Sequence, residues 1–171
     1  TEKARAEAAI KEFQVVADSY GNPYKEKALY FIAVNRLDID RDAGIKELTA
    51  IAAGTGETAA LAKFALAQAQ SSVGKYDDAV KLYQELAKLD ETVIAKETVN
   101  FELGKVYEKQ NKKKEAVDIY FNIAKAASEL KDGDGKPIPF SQTAAEAKSK
   151  LEQLAPERAK EIKEPELVPG G

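Results

Sequence analysis

The spacing of small residues is the feature that most constrains the fold of this chain. Every second amphipathic segment carries a small residue, a large apolar residue four positions later, and another apolar residue three positions after that. The small residues are Ala9, Gly44, Ala79 and Ala116, which lie 35, 35 and 37 residues apart. The intervening segments carry a second series of small residues, Ala33, Ala67 and Gly104, spaced 34 and 37 apart. Unrelated helices in a bundle would not keep such a register, so we expect stacked helical hairpins.

The apolar residues recur at three- and four-residue spacing, which is the period of an α-helix. Glycine and proline fall mainly between the periodic segments, and no segment alternates as a strand does. Two antiparallel helices pack closely only where side chains at the crossing are small, which explains the recurring Ala and Gly. The pattern predicts an all-α chain with helices at about 2–20, 24–38, 43–53, 57–73, 76–89, 93–110, 113–130 and 142–155.

Two stretches resemble the tetratricopeptide repeat (TPR) family. One is Gly74-Lys75-Tyr76-Asp77-Asp78-Ala79 with Tyr83, and the other is Leu103-Gly104-x2-Tyr107 followed by Lys114-Glu115-Ala116 and Tyr120. The resemblance covers about residues 2–130, as a second helix alone at 2–20 and repeats at about 24–54, 57–90 and 93–130. The first of these repeats departs from the family pattern at Gly44, where Ala is usual, and none has the family's tryptophan. The resemblance implies a right-handed α-solenoid.

The remainder of the chain completes the predicted domain. A loop at 131–141 precedes a helix at 142–155, with Ser141 as its expected N-cap. This helix is expected to cap the open end of the stack, because the last repeat would otherwise expose its apolar face. We therefore predict one repeat domain over residues 1–155. Residues 156–171 are charged and end in a Pro- and Gly-containing stretch, so we expect a flexible tail.

In TPR arrays the first helices of the hairpins line a concave groove, so the resemblance implies a partner-binding surface. The aromatic residues at the fifth repeat position, Tyr30, Phe64 and Phe101, either contact a partner or only pack between helices, and the sequence leaves both readings open. The predicted groove residues are Lys27, Tyr30, Val34, Leu61, Phe64, Gln68, Phe101, Lys105 and Glu108. The family's carboxylate clamp is absent, so an apolar or helical partner segment is expected rather than an acidic tail.

Other function classes receive little support from composition. The chain has no His and no Cys, so the usual general base, thiol nucleophile and transition-metal ligands are missing. The run from Asp132 to Gly135 fails the calcium-loop pattern, because Pro137 and Thr143 stand at its sixth and twelfth positions. The net charge is −3, without a basic stripe for nucleic acid. We predict no enzyme activity, no cofactor, no metal site and no nucleic-acid partner.

The expected function is a protein–protein interaction scaffold. The stretch from Phe13 to Tyr24, with Lys27 to Tyr30, resembles bacterial cell-envelope TPR proteins, namely YfgM-like subunits and outer-membrane assembly lipoproteins. That resemblance implies a periplasmic domain with a membrane anchor outside this chain; the alternative location is cytoplasmic. The chain contains no Met, so we expect a processed or excised part of a longer product. The alternative function is a structural module that self-associates through its end helices, since the first hairpin lacks its first helix.

Overall fold

The computed structural model describes residues 1–89 and 93–165, and their regular structure is helical apart from an isolated bridge between Lys131 and Pro137. The helices are α1 (Glu2–Ser19), α2 (Tyr24–Arg36), α3 (Arg41–Ala52), α4 (Gly56–Ser72), α5 (Tyr76–Ala87), α6 (Lys96–Lys109), α7 (Lys113–Ser128), α8 (Gln142–Leu154) and α9 (Pro156–Ala159). The all-α class is confirmed, and the ends of all eight predicted helices lie within three residues of their expected places. The sequence did not predict α9.

The chain divides into two compact units, unit 1 (Thr1–Ile94) and unit 2 (Ala95–Gly171), where we had expected one repeat domain. In unit 1 the helices pack in chain order, and α2 also contacts α4, so two first helices lie beside each other. In unit 2 the helices α6 to α9 also pack in chain order, and α6 contacts α8. In the part of the chain that the structure describes, none of the helices is both long and apolar enough to cross a bilayer.

The turn between α4 and α5 and the turn between α6 and α7 have the same backbone conformation. Gly74 (φ 80°) and Asn111 (φ 58°) adopt the left-handed conformation two residues after the ends of α4 and α6. The next residue then donates its N–H five residues back: Lys75 to the Gln70 carbonyl and Lys112 to the Tyr107 carbonyl, both at 2.9 Å. These bonds satisfy carbonyls at the helix ends that would otherwise lack partners. The equal turns explain why the 57–90 and 93–130 repeats share a register.

The small residues of the repeat lie where helices cross. Ala79 and Ala116 are fully buried. A Cβ added at Gly104 would lie 2.7 Å from Cε1 of Tyr120, and one added at Gly44 would lie 2.8 Å from the backbone nitrogen of Leu37. The departure from the family pattern at Gly44 therefore has a steric reason, since α2 ends against this position and leaves no room for a methyl group.

We expect Gly44→Ala to destabilise unit 1 by about 1–2 kcal/mol, because the backbone of Leu37 cannot move aside cheaply and overpacking outweighs the gain in helix propensity. Urea unfolding followed by circular dichroism would measure it. Gly21→Ala is the matched control, since nothing lies within 4 Å of a Cβ there. Equal midpoints for the two variants would contradict the proposed crowding at the α2–α3 crossing.

The C-terminal part differs from the prediction. Helix α8 begins at the expected N-cap, where the Ser141 hydroxyl accepts a hydrogen bond from the Ala144 N–H at 3.0 Å. Its contacts with α6 and α7 match those of α4 with α2 and α3, so α8 occupies the place of a further first helix. Residues 156–162, expected as part of a flexible tail, instead include α9 and bury Ala159 and Ile162 in the core of unit 2. The last part of that predicted tail, residues 166–171, lies outside the described residues.

Candidate functional site

The first helices of unit 1 place six of the predicted groove residues on two neighbouring elements. We call this set the α2–α4 face: Lys27, Tyr30, Val34, Leu61, Phe64 and Gln68. Its four apolar members are half-buried, whereas Lys27 and Gln68 are exposed. A salt bridge of 3.5 Å joins Lys27 Nζ to Glu57 and links the two helices. The face thus combines partly exposed apolar side chains with exposed polar ones.

The aromatic rings of the α2–α4 face are anchored by other rings. The ring centres of Tyr30 and Phe31 lie 5.1 Å apart. The Phe64 ring packs edge-on against the Tyr83 ring, with 5.6 Å between the ring centres. Burial raises the pKa of Tyr30, so its hydroxyl stays protonated. Within the described residues this hydroxyl has no hydrogen-bond partner.

At the equivalent positions of unit 2, the side chains of Phe101, Lys105 and Glu108 contact other residues of the same unit. Phe101 is only 7% exposed and contacts the Tyr120 ring at 5.6 Å. Lys105 pairs with Glu102 at 2.8 Å, and its ammonium lies 5.7 Å from the centre of the Phe101 ring. Glu108 accepts a 2.6 Å hydrogen bond from the Tyr120 hydroxyl and pairs with Lys150 of α8 at 3.2 Å. The structure therefore gives Phe101 and Glu108 roles in packing and helix linkage.

The surroundings of the Tyr120 hydroxyl, including the Glu108 carboxylate, keep this hydroxyl protonated. Burial of the phenol, followed by the hydrogen bond to the Glu108 carboxylate and the negative charge nearby, raises the pKa of Tyr120 far above its usual value. The hydroxyl therefore remains a donor at any physiological pH. The hydrogen bond from Tyr120 to Glu108 links α7 to α6, and the ion pair of Glu108 with Lys150 links α6 to α8.

Exposed aromatics that the groove prediction missed lie on α2 and just after the end of α1. Phe31 is 42% exposed and stacks on Phe13 at 4.8 Å, while Tyr20 and Tyr24 meet at 6.0 Å and are 59% and 64% exposed. Tyr24 and Phe31 are seven residues apart on α2, whereas Tyr20 follows the end of α1 with extended backbone. The seven-residue spacing places Tyr24 and Phe31 on a single face of α2, a signal the sequence already carried.

The loop between α7 and α8 is ordered by its own polar groups. Asp132 accepts hydrogen bonds from the backbone N–H groups of Asp134 and Lys136, each at 2.9 Å. The residues described here include no cluster of three or more acids that could hold a metal ion. A cavity of about 250 Å³ beside α8 lies against Lys148, whose ammonium pairs with Glu152 and Glu164 at 2.5 and 2.7 Å. These hydrogen bonds raise the pKa of Lys148.

Comparisons with known proteins point to the same repeat. Residues 62–93, which hold most of α4 and all of α5, match the tetratricopeptide repeat model. A crystal structure of nearly identical TPR-like repeats, from a Podosopora anserina protein described as a kinesin light chain, is similar with a TM-score of 0.70. The two share 13% identity, and the match covers 94% of this chain and 83% of that chain. No curated protein matches the chain. Residues 62–93 thus form a tetratricopeptide repeat, and the described helices have the fold of a TPR-like repeat protein.

Proposed function

We propose that this protein is an interaction scaffold that binds an apolar or amphipathic helical segment of a partner protein on the α2–α4 face of unit 1. TPR repeats generally mediate protein–protein interaction. The observation that carries the choice of face is the contrast between equivalent aromatics. Tyr30 and Phe64 keep part of their surface exposed, whereas Phe101 is buried in the core of unit 2.

The chemistry of the face supports a partner of this kind. Tyr30, Val34, Leu61 and Phe64 supply apolar surface held by the packing beneath it, so little side-chain entropy is lost on binding. The Tyr30 hydroxyl and the Gln68 amide supply polar contacts at its edge. A helical segment with apolar residues at three- and four-residue spacing matches a surface formed by two neighbouring helices.

The test is selection of binding peptides from a displayed random library, followed by affinity measurement against variants. We expect Tyr30→Ala to weaken a selected peptide at least about tenfold, since truncating a central aromatic commonly removes more than about 1.4 kcal/mol. Gln68→Arg, which adds an exposed charge without removing packing, should also weaken the peptide.

The matched control is Gln153→Arg, the same exchange at an exposed position of α8 in unit 2. It should leave the affinity unchanged. Circular dichroism of each variant confirms that the helices remain formed. Peptides that bind wild type and all three variants equally would show that the α2–α4 face is not the site.

A further inference from the structure

Unit 1 contains a cavity of about 370 Å³ where the N-terminal half of α2, the end of α3 and the first turn of α4 meet. Polar and apolar side chains line this cavity, among them Glu26, Leu29, Ile51, Thr58 and Ala59. The described residues that line it are all different from those of the α2–α4 face. Its volume lies in the range of sites that hold small molecules, about 300–1,000 Å³.

The first turn of α4 has unpaired backbone donors beside this cavity. Thr55 occupies the N-cap of α4, but its side chain accepts no capping hydrogen bond. In the part of the chain that the structure describes, the N–H groups of Gly56, Glu57 and Thr58 donate to no backbone carbonyl or side chain. These groups carry the partial positive charge of the helix start, so they favour a negatively charged oxygen. Water satisfies such groups at many helix starts, so they select a ligand only together with other groups.

Thr58 adds a side-chain donor to the same cavity. It is only 7% exposed, and its hydroxyl has no hydrogen-bond partner among the described residues. Buried hydroxyl groups are normally hydrogen-bonded, because burial takes away the water that would otherwise bind them. By contrast, Ser71 of the same helix is 8% exposed and does have a partner within the chain. The Thr58 hydroxyl therefore indicates an acceptor that this chain does not itself supply.

Glu26 gives the cavity a carboxylate as well as donors. One oxygen of this carboxylate accepts a hydrogen bond from the Asn22 side chain, and the neighbouring Lys27 pairs instead with Glu57 at 3.5 Å. Among the described residues, no Lys or Arg forms an ion pair with Glu26. A simple anion at the start of α4 would be repelled by this carboxylate. A ligand that carries a cationic group next to its own carboxylate would satisfy both ends of the cavity.

We propose that this cavity binds a free α-amino acid with an apolar side chain. The ligand carboxylate accepts hydrogen bonds from the first N–H groups of α4 and from the Thr58 hydroxyl, and the ligand ammonium pairs with Glu26. Leu29, Ile51 and Ala59 supply apolar surface for the ligand side chain. The site uses no residue of the α2–α4 face, so it can fail without the partner site proposed above, and the reverse also holds.

Isothermal titration calorimetry of the whole chain with L-leucine, L-valine and L-phenylalanine, each to about 10 mM, tests the site. At least one of the three is expected to bind with a dissociation constant below about 1 mM. Derivatives of that amino acid separate its two charged groups. The amide lacks the carboxylate and the N-acetyl derivative lacks the ammonium, and each should bind at least about tenfold more weakly.

Variants of the two polar residues test the contacts from the protein side. Thr58→Val keeps the shape of the side chain and removes its hydroxyl, so the affinity should fall about tenfold, whereas Thr58→Ser should retain most of it. Glu26→Gln removes the charge that pairs with the ammonium and should weaken binding to a similar degree. The matched control is Glu12→Gln, the same exchange at an exposed position of α1, which should leave the affinity unchanged. Circular dichroism establishes that every variant is folded.

The outcomes that overturn the proposal are specific. The absence of binding by all three amino acids at about 10 mM overturns it outright. An amide derivative that binds as tightly as the free amino acid overturns the contact with the start of α4. An N-acetyl derivative that binds as tightly overturns the pairing with Glu26. Equal affinities of wild type and Thr58→Val would place the bound amino acid outside this cavity.

Discussion

Tyr120→Ala is expected to lower the free energy of unfolding of unit 2 by about 3–5 kcal/mol, the range for removing a large buried ring. Tyr120 is fully buried, and its ring fills the space that Gly104 leaves at the α6–α7 crossing. The alanine would leave a cavity between two helices whose backbones are already in close contact. The variant would also leave the Glu108 carboxylate without the hydroxyl that now donates to it.

Tyr120→Phe separates the ring from the hydroxyl. We expect it to cost only about 1 kcal/mol, since Glu108 keeps its ion pair with Lys150 and is not fully buried. Urea unfolding gives the free energies, and peptide-resolved hydrogen exchange assigns the loss to unit 2. A loss below about 1 kcal/mol for Tyr120→Ala would contradict the packing role of the ring.

Ile162→Ala is expected to destabilise unit 2 by about 2–4 kcal/mol, because the Ile162 side chain is 6% exposed and belongs to the same core as Tyr120 and Leu151. Charged residues near Ile162 also attach this segment to α7 and α8. Arg158 pairs with Asp118 and lies 4.2 Å from the centre of the Phe121 ring, and Lys148 pairs with Glu164. The loss should appear as faster hydrogen exchange in α7 and α8.

The matched control is Lys163→Ala, which truncates the exposed neighbour of Ile162 and should change stability by less than about 0.5 kcal/mol. Urea midpoints of the two variants would be compared with wild type. If Ile162→Ala behaved like its control, residues 156–162 would act as the flexible tail that their charge suggested, and the buried contact would contribute nothing.

The helical elements were predictable because their signals are local. Apolar spacing, the turn at Gly74 and the cap at Ser141 act within a few residues, so the predicted helices agree closely with α1 to α8. The segment from Pro156 carries only a short start signal, a proline at the first helical position followed by Glu157. Its burial depends on two apolar residues, Ala159 and Ile162, that join a core built by α8 and by α7, and α7 lies far away in sequence. The handedness of the repeat stack and the cellular location remain predictions.

The candidate site was predictable only in part. The repeat register places Tyr30, Phe64 and Phe101 at one position, and nothing in the residue type separates them. Phe101 is buried within unit 2, while Phe64 stays half-exposed in unit 1. From the sequence, Glu108 likewise looks like an exposed acidic residue. In the structure it accepts a hydrogen bond from Tyr120 and forms an ion pair with Lys150. These differences arise from contacts between residues distant in sequence.

The sequence by itself determined the all-helical fold, the repeat register and the small residues at the crossings. Those features rest on helix periodicity and steric size, which a short stretch of chain already contains. Only the tertiary structure decided which equivalent side chains stay exposed, where the two units divide, and that Ile162 is buried. Burial depends on the helix that packs over a residue, and that helix is brought there by the fold.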